Sequence, residues 1–167
     1  MNPPLVTVII PSYNYGHLID QTLESVQAQT YPHWECFVVD DGSTDHTPAV
    51  VARYAANDQR IKYIFQTNKR EGAARNNGMR NGSGKYLQFV DADDLIEDRK
   101  LERQVCYLEE HPEVDIAYGD VRYFRSEERV QHLSRSLGEE VKWVPRISGS
   151  GAARCGRRAT GGSRRSP

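Results

Sequence analysis

Two short acidic runs are the parts of this sequence whose chemistry is easiest to name. They are Asp-Asp-Gly-Ser at residues 40–43 and Asp-Ala-Asp-Asp at residues 91–94. Two carboxylates about 4 Å apart repel each other by roughly 4 kcal/mol at an effective dielectric of 20. Such a cluster either takes up protons or binds a cation. Mg²⁺ or Mn²⁺ suits a site made of one or two carboxylates, water and phosphate oxygens, so a diphosphate is the natural co-ligand.

The segments around these runs alternate between strand-like and helix-like patterns. Residues 17–29 repeat apolar side chains every three or four positions, which gives a helix with one apolar face. Strands that alternate with helices of about ten residues predict an α/β fold, with a mostly parallel sheet and helices on both faces. The apolar runs that predict strands are 5–10, stopped by Pro11, then 35–39, 61–65 and 86–90, with 114–118 as a short fifth.

The loops that follow the predicted strands should meet at one edge, because ligands of open α/β sheets bind outside the carboxyl ends of the strands. These loops are Pro-Ser-Tyr-Asn at 11–14, residues 40–43, Thr67-Asn68, and residues 91–94. Asp-Asp-Gly-Ser alone is also a common turn composition. Asp-Ala-Asp-Asp alone would suit the first turn of a helix. Their recurrence at a shared edge is what favours a binding site.

Four motifs in order along the chain resemble the signature of family 2 glycosyltransferases. The resemblance covers about residues 5–124, and it implies the Rossmann-like nucleotide-binding half of the GT-A fold. The motifs are Val-Ile-Ile-Pro-Ser-Tyr-Asn at 8–14, Val-Asp-Asp-Gly-Ser-Thr-Asp at 39–45, Gly-Ala-Ala-Arg-Asn-Asn-Gly at 72–78 and Val-Asp-Ala-Asp-Asp at 90–94.

The resemblance implies a role for individual residues in binding the donor. Pro11 and Tyr13 would lie against the nucleotide base, and Asp41 would accept a hydrogen bond from it. Arg75 would approach the base or the phosphates. Asp91 would face the ribose and the metal. These four loops would therefore form one site for a nucleotide-diphosphate sugar, with a UDP-sugar as the first expectation.

The same resemblance implies a metal and an acceptor. Asp93, with Asp91, would bind Mg²⁺ or Mn²⁺, which would act as a Lewis acid on the leaving diphosphate. The acceptor would be a glycan or a lipid-linked glycan in the synthesis of cell-surface polysaccharide. Each of these expectations is what the resemblance implies.

The general base of sugar transfer is the part of the family pattern that the sequence lacks. Inverting members use an acidic residue in a second half, well beyond the Asp-x-Asp loop, to take the proton from the acceptor. Asp120, Glu139 and Glu140 lie too soon after the predicted fifth strand to match it. We therefore expect donor binding with weak or absent transfer. The alternative is a truncated nucleotide-binding remnant without transferase activity.

Composition changes sharply near Pro145. All 23 acidic residues and 16 of the 22 basic ones precede Arg146, and residues 146–167 hold six Arg, five Gly and one large apolar side chain. Such a segment cannot bury enough surface to offset its ordering entropy. We predict an incomplete domain over 1–145 and a disordered basic tail over 146–167, with a truncated or frameshifted gene as the reason. The tail has no aromatic residue to stack on bases, so nucleic acid is not an expected partner.

The sequence offers no membrane span and no zinc ligand set. No stretch approaches the roughly 20 consecutive apolar residues that a span needs, and the first residues lack the layout of a secretion signal. We expect a cytoplasmic chain, with peripheral association with the cytoplasmic face of a membrane as the alternative. The three cysteines and five histidines are dispersed.

Two other magnesium-dependent folds also place aspartates after a strand. A phosphohydrolase of the haloacid dehalogenase type carries Asp-x-Asp after its first strand, whereas here it follows the fourth. A receiver domain has its acidic pair after strand one, where this chain has Pro-Ser-Tyr-Asn. Gly84-Lys85 does not make a Walker loop, because Tyr86 occupies the place of the required Ser or Thr. A phosphotransfer domain is thus the less favoured alternative.

Overall fold

The structure is a computed structural model that describes residues 2–119 and 121. Strands and helices alternate along this part of the chain, as the sequence predicts. The chain divides into two units, residues 1–105 and 106–167, and the four strands of the described residues lie in the first. The elements are β1 (Val6–Ser12), α1 (Ile19–Gln27), β2 (Trp34–Asp40), α2 (Thr47–Asn57), β3 (Ile61–Phe65), α3 (Glu71–Asn81), β4 (Tyr86–Phe89) and α4 (Lys100–Glu110).

One parallel sheet contains β1 to β4, in the order β3-β2-β1-β4. β1 pairs with β2 from Val6↔Trp34 to Ser12↔Asp40. Every residue of these two strands is buried. Their burial on both faces explains why they are continuous apolar runs rather than alternating ones. The predicted α/β fold with a parallel sheet is confirmed.

Different helices cover the two faces of the sheet, because successive side chains of a strand point to opposite faces. Ile10 of β1 belongs to one core cluster with Leu23 of α1 and Val51 of α2. Val39 of β2 packs with Ala74 of α3 in a second cluster. Helices therefore lie on both faces, as predicted, and all four strands end at the same edge of the sheet.

The prediction that Pro11 stops the first strand was wrong. β1 continues through Pro11 to Ser12, still paired with β2. The Ser12 carbonyl accepts a hydrogen bond from the Asp41 amide on the β2 side, so Pro11, one residue earlier, faces β4. The register with β4 already ends at Ile9↔Phe89. The missing N–H of proline therefore breaks no bond of the sheet.

The prediction of a fifth strand over residues 114–118 was also wrong. This segment is irregular, and among the residues that the structure describes it pairs with no strand. Ile116 is 73% exposed and Tyr118 is 52% exposed, so the short apolar run does not mark a buried segment. The predicted boundary at residue 145 and the tail over 146–167 lie outside the described residues. No helix in the described part of the chain is both long enough and apolar enough to cross a bilayer.

Helix α3 packs closely against β1 at Gly78. A Cβ atom built there would lie 2.5 Å from Cγ2 of Ile9, which is too close for the helix to stay in place. Gly72 lies in the first turn of the same helix, and a Cβ atom there would meet nothing within 4 Å. The two glycines thus differ in the space around them and belong to the same helix.

We expect Gly78→Ala to lower the free energy of unfolding by about 1–3 kcal/mol, because overpacking against Ile9 outweighs the roughly 1 kcal/mol gained from helix propensity. Gly72→Ala is the matched control, and we expect it to be neutral or slightly stabilising. Urea denaturation of both variants measures the difference. Equal stability of the two variants would contradict the packing of α3 on β1 described above.

Candidate functional site

One cavity lies at the edge where the strands end. It is lined by residues from the loops that follow all four strands. Gly42, in the loop after β2, has a φ of 85°, and Asn14, in the loop after β1, has a φ of 61°. Glycine adopts a positive φ without strain, whereas a positive φ in a non-glycine residue such as Asn14 is uncommon and is concentrated at functional sites. The lining residues are 11–13, 15, 41, 68, 70, 71, 74 and 91–93.

Five of the six residues predicted for the site line this cavity together. Pro11 is buried and the Tyr13 side chain is 46% exposed at its rim. Asp41 is 4% exposed, whereas Asp91 and Asp93 are exposed. Acidic loops that are 50 residues apart in sequence therefore share one cavity, because the parallel strands β2 and β4 end at the same edge of the sheet.

The Asp41 carboxylate uses one of its two oxygens within the protein. Oδ1 accepts hydrogen bonds from Nε2 of Gln66 at 2.7 Å and from the amide N–H of Lys69 at 2.8 Å. No group in the described ranges donates to Oδ2. Because Asp41 is buried and lines the cavity, its second oxygen is available to a donor group on a ligand.

The neighbouring Asp40 has a structural role. Its Oδ1 accepts from the amide of Ser43 at 2.8 Å, which closes the turn, and its Oδ2 accepts from the Tyr63 hydroxyl at 2.7 Å. Burial and the Asp40 carboxylate raise the pKa of Tyr63 above its ordinary value. Asp40 is fully buried and does not line the cavity, so of this acidic pair only Asp41 can serve a ligand there.

Asn14 ties the loop after β1 to the loop after β2. Its Oδ1 accepts from the amides of Thr44 at 2.8 Å and Asp45 at 3.3 Å, and its own amide donates to Oγ of Ser43 at 2.9 Å. The Asp45 carboxylate in turn accepts from the amide of Gly16 at 2.9 Å. These bonds fix the position of Tyr13 and Asp41 relative to each other.

Negative charge is concentrated in the part of the cavity that the loop after β4 lines. Asp93, then burial, then Asp91 raise the pKa of the Tyr15 hydroxyl. Burial, with the charges of Asp91 and Asp93, likewise raises the pKa of Asp94. Asp91 and Asp93 are thus close enough to disfavour the charged form of their neighbours Asp94 and Tyr15, and a bound cation would relieve this excess of negative charge.

The donor set at this end fits Mg²⁺ or Mn²⁺. Asp91 and Asp93 supply carboxylate oxygens beside a cavity that is open to a ligand. In the part of the chain that the structure describes, no three His, Cys, Asp or Glu side chains form a metal site by themselves. Magnesium is commonly bound by one or two carboxylates together with phosphate oxygens and water, so this pair would need a phosphate ligand to complete the site.

Arg75 is placed differently from the other predicted site residues. It is absent from the lining of the cavity, and its Nη2 pairs with Oδ1 of Asp91 at 2.8 Å and also contacts Oε1 of Glu71. The guanidinium lies 5.6 Å from the centre of the Phe89 ring. In this structure Arg75 therefore holds one of the two acidic residues proposed for the metal.

Two buried polar atoms next to the cavity have no hydrogen-bond partner within the described residues. They are Oγ of Ser12, which lines the cavity, and Nε of Arg75. Buried polar groups are nearly always hydrogen-bonded in folded proteins, so each such atom calls for an explanation. A polar ligand in the cavity would supply a partner for Ser12.

The sequence reasoning missed Tyr15, Arg70 and Glu71, which also line the cavity. Helix α3 begins at Glu71, directly after the loop that follows β3. Its N-terminal N–H groups attract anions. The available signal was position: a helix that starts directly after a strand-end loop has its N-terminus at the binding edge of the sheet.

The family model described as "Glycosyl transferase family 2" matches residues 7–160 of this chain. A putative teichuronic acid biosynthesis glycosyltransferase, TuaG of Bacillus subtilis, is 41% identical over 108 residues, which are 64% of this chain and 43% of the relative. The glycosyltransferase GlyA of Streptococcus pneumoniae is 41% identical over 123 residues, which are 74% of this chain and 18% of the relative. The chain thus spans less than half the length of these relatives.

Solved structures of glycosyltransferases have the same fold. The S. aureus TarS fragment 1–349 in complex with UDP-GlcNAc superimposes with a TM-score of 0.62 and 33% identity, over 65% of this chain and 32% of that one. The mannosyltransferase PcManGT from Pyrobaculum calidifontis, in complex with GDP-Man and Mn²⁺, gives a TM-score of 0.60 and 34% identity, over 65% and 33%. The fold is GT-A, and the chain belongs to glycosyltransferase family 2.

Proposed function

We propose that the cavity binds the nucleotide diphosphate of an activated sugar together with Mg²⁺ or Mn²⁺, as the donor site of a glycosyltransferase. The observation that carries this proposal is the shared cavity: the buried Asp41 has a free carboxylate oxygen there, and the Asp91–Asp93 pair lines the same cavity. The relatives support it, because one holds UDP-GlcNAc and another holds GDP-Man with Mn²⁺.

At the buried end, Asp41 would select the base. An ionised carboxylate only accepts hydrogen bonds, so its Oδ2 requires an N–H group on the ligand. Uracil and guanine both present a ring N–H, whereas cytosine presents an acceptor nitrogen at the equivalent position. Pro11 and the half-exposed Tyr13 would lie against the base. A UDP-sugar is the donor that we propose.

At the exposed end, Asp93 with Asp91 would bind the divalent cation. A cation bound there would supply Lewis-acid stabilisation of the leaving diphosphate. Arg75 would hold Asp91 through the ion pair observed between them. Arg70 and the first turn of α3 would attract the phosphates by their positive charge. In this proposal the donor-binding part comprises residues 1–145.

The acceptor that we propose is a glycan or a lipid-linked glycan of the cell surface, which the name of the B. subtilis relative suggests. Donor binding without turnover by this chain is the second candidate. It is favoured because Asp41, Asp91 and Asp93 already have donor-side assignments, and Glu71, the remaining carboxylate of the cavity, contacts Arg75. This leaves no general base assigned among residues 2–119 and 121.

Calorimetric titration with UDP-, GDP- and CDP-sugars in the presence of Mn²⁺ tests the base assignment, with Asp41→Asn as the variant. In this variant the amide oxygen can still accept from Gln66 and Lys69, which turns an NH₂ group towards the ligand. Loss of a hydrogen bond to a charged group costs about 1.5–3 kcal/mol, so we expect the preference for UDP over CDP to fall by about tenfold or more. An unchanged preference would remove Asp41 from base recognition.

A further inference from the structure

Three amide side chains form a hydrogen-bonded chain that ends on the Asp41 carboxylate. Nδ2 of Asn81 donates to Oδ1 of Asn77 at 3.1 Å, and Nδ2 of Asn77 donates to Oε1 of Gln66 at 2.8 Å. Nε2 of Gln66 then donates to Oδ1 of Asp41 at 2.7 Å. Asn77 and Asn81 are one turn apart on α3, Gln66 directly follows β3, and Asp41 directly follows β2. This chain of amides therefore connects α3 with the segments that directly follow β2 and β3.

The carboxylate determines the direction of every bond in this chain of amides. Because Asp41 can only accept, Gln66 must present its NH₂ group to Asp41 and its oxygen to Asn77. Asn77 must then present its NH₂ group to Gln66, which leaves its own oxygen for Asn81. An amide turned the other way would place two oxygens against each other at 2.7–2.8 Å, the separations observed here.

Gln66 and Asn77 do not line the cavity, so they can affect a ligand only through Asp41. Gln66 and the Lys69 amide both occupy Oδ1 of Asp41, which leaves Oδ2 as the oxygen for the ligand. The two oxygens of a carboxylate are equivalent, so what the two donors fix is the plane of the carboxylate. They hold one oxygen away from the ligand and leave the other for it.

We propose that Gln66, oriented by Asn77, is a positioning residue that reserves Oδ2 of Asp41 for an N–H group of the donor base. This proposal rests on the assignment of Asp41 to base recognition. It adds that the preference for uracil depends on an amide chain which reaches outside the binding site, to the surface of α3. Reversing the polarity of that chain should therefore change base preference without any change in a residue of the cavity.

Asn77→Asp is the test, because it replaces an NH₂ group with an oxygen of nearly the same size. Gln66 then lies between two carboxylates and can present its NH₂ group to only one of them, so the new carboxylate competes with Asp41 for that group. Asn76→Asp is the matched control. It makes the same change of charge on the same helix at an exposed position outside the amide chain. The two variants differ only in whether the new carboxylate faces Gln66.

We expect Asn77→Asp to weaken the binding of UDP, measured by calorimetry with Mn²⁺, by about tenfold, which is ~1.4 kcal/mol. The preference for UDP over CDP should fall with it. Asn76→Asp should stay within about twofold of the unmodified chain. A merely structural role of Asn77 would lower the melting temperature and leave the UDP-to-CDP ratio unchanged, so this ratio separates the two explanations.

Equal UDP-to-CDP ratios for Asn77→Asp and Asn76→Asp would overturn the positioning role and leave the proposed function standing. Absence of UDP binding by the unmodified chain would instead overturn the proposed function, and the positioning role with it. If Asn77→Asp fails to fold, Asn81→Asp replaces it in the test. Asn81 is exposed, and a carboxylate there would reverse the hydrogen bonds of the amide chain from its outer end. We expect a smaller loss of UDP affinity for Asn81→Asp, about two- to threefold. An unchanged UDP-to-CDP ratio in this variant would contradict the proposal.

Discussion

Asp93→Ala is expected to weaken the binding of UDP in the presence of Mn²⁺ by about a hundredfold, which is ~2.7 kcal/mol. The substitution removes one of the two carboxylates available to the cation. The other, Asp91, is already paired with Arg75 through Oδ1 at 2.8 Å, so its second oxygen alone would be left to hold the cation. Calorimetric titration of UDP into the chain, with Mn²⁺ in excess, measures the loss.

A comparison of UDP binding with and without the metal shows whether Asp93 acts through a cation. With EDTA in place of Mn²⁺, Asp93→Ala should bind UDP as well as the unmodified chain or slightly better, because a negative charge near the phosphates is gone. Asp98→Ala, at another exposed aspartate of the same unit, should have no effect in either condition. An equal loss with and without Mn²⁺ would show that Asp93 does not act through a cation.

Glu35→Gln is expected to lower the free energy of unfolding by about 3 kcal/mol at pH 7. Glu35 is 8% exposed at the start of β2. Its Oε1 accepts from the Thr7 hydroxyl at 2.9 Å and the Ser83 amide at 2.7 Å, and its Oε2 accepts from Nζ of Lys62 at 2.9 Å. Glutamine keeps the size but places an NH₂ group where a carboxylate oxygen accepted a bond.

The effect of Glu35→Gln should depend on pH in a defined direction. Burial alone would raise the pKa of Glu35, but the bonds from Lys62, the Ser83 amide and Thr7 outweigh it and lower the pKa to about 2. A lowered pKa contributes stability that is present above the ordinary glutamate value and is lost as the pH falls towards about 2. A tenfold change in the acid dissociation constant of the carboxyl corresponds to about 1.4 kcal/mol.

Urea denaturation of both proteins between pH 7 and pH 2 tests this prediction. The difference in stability should be largest near pH 7 and should shrink below about pH 5. Asp58 also has a pKa lowered to about 2, mainly by its hydrogen bond from Arg60, so the acid limb of the unmodified chain reflects more than one group. The difference between the two proteins isolates Glu35. A difference that stays constant across this range would contradict the assigned role.

The strands and their shared edge could be predicted because burial on both faces leaves a strong pattern. The runs that became β1 and β2 are continuous and apolar, and both strands are buried throughout. Residues 114–118 had the same apolar character over a short length, and no strand forms there. Apolar content identifies a candidate strand, but pairing depends on a neighbour that sequence does not show.

The site was predicted at the level of loops and not at the level of atoms. Asp40 and Asp41 are adjacent acids in one motif, yet among residues 2–119 Asp40 has a donor on each oxygen and Asp41 has both its donors on one oxygen. Their difference depends on Tyr63 and Gln66, which lie more than 20 residues away in sequence. Contacts of this range follow from the packing of β2 against β3, so no local pattern could reveal them.

NMR spectra of the ¹⁵N-labelled chain with UDP and Mn²⁺ test most directly whether the separate acidic loops hold one ligand. With UDP present, Mn²⁺ should broaden the amide signals of residues 91–94 and also those of 41–43 and 11–14, while residues 82–84 at the opposite edge of the sheet stay sharp. Mg²⁺, which is diamagnetic, serves as the control and should shift these signals without broadening them. Broadening confined to residues 91–94, with no response to UDP in 41–43, would contradict a shared nucleotide-sugar site.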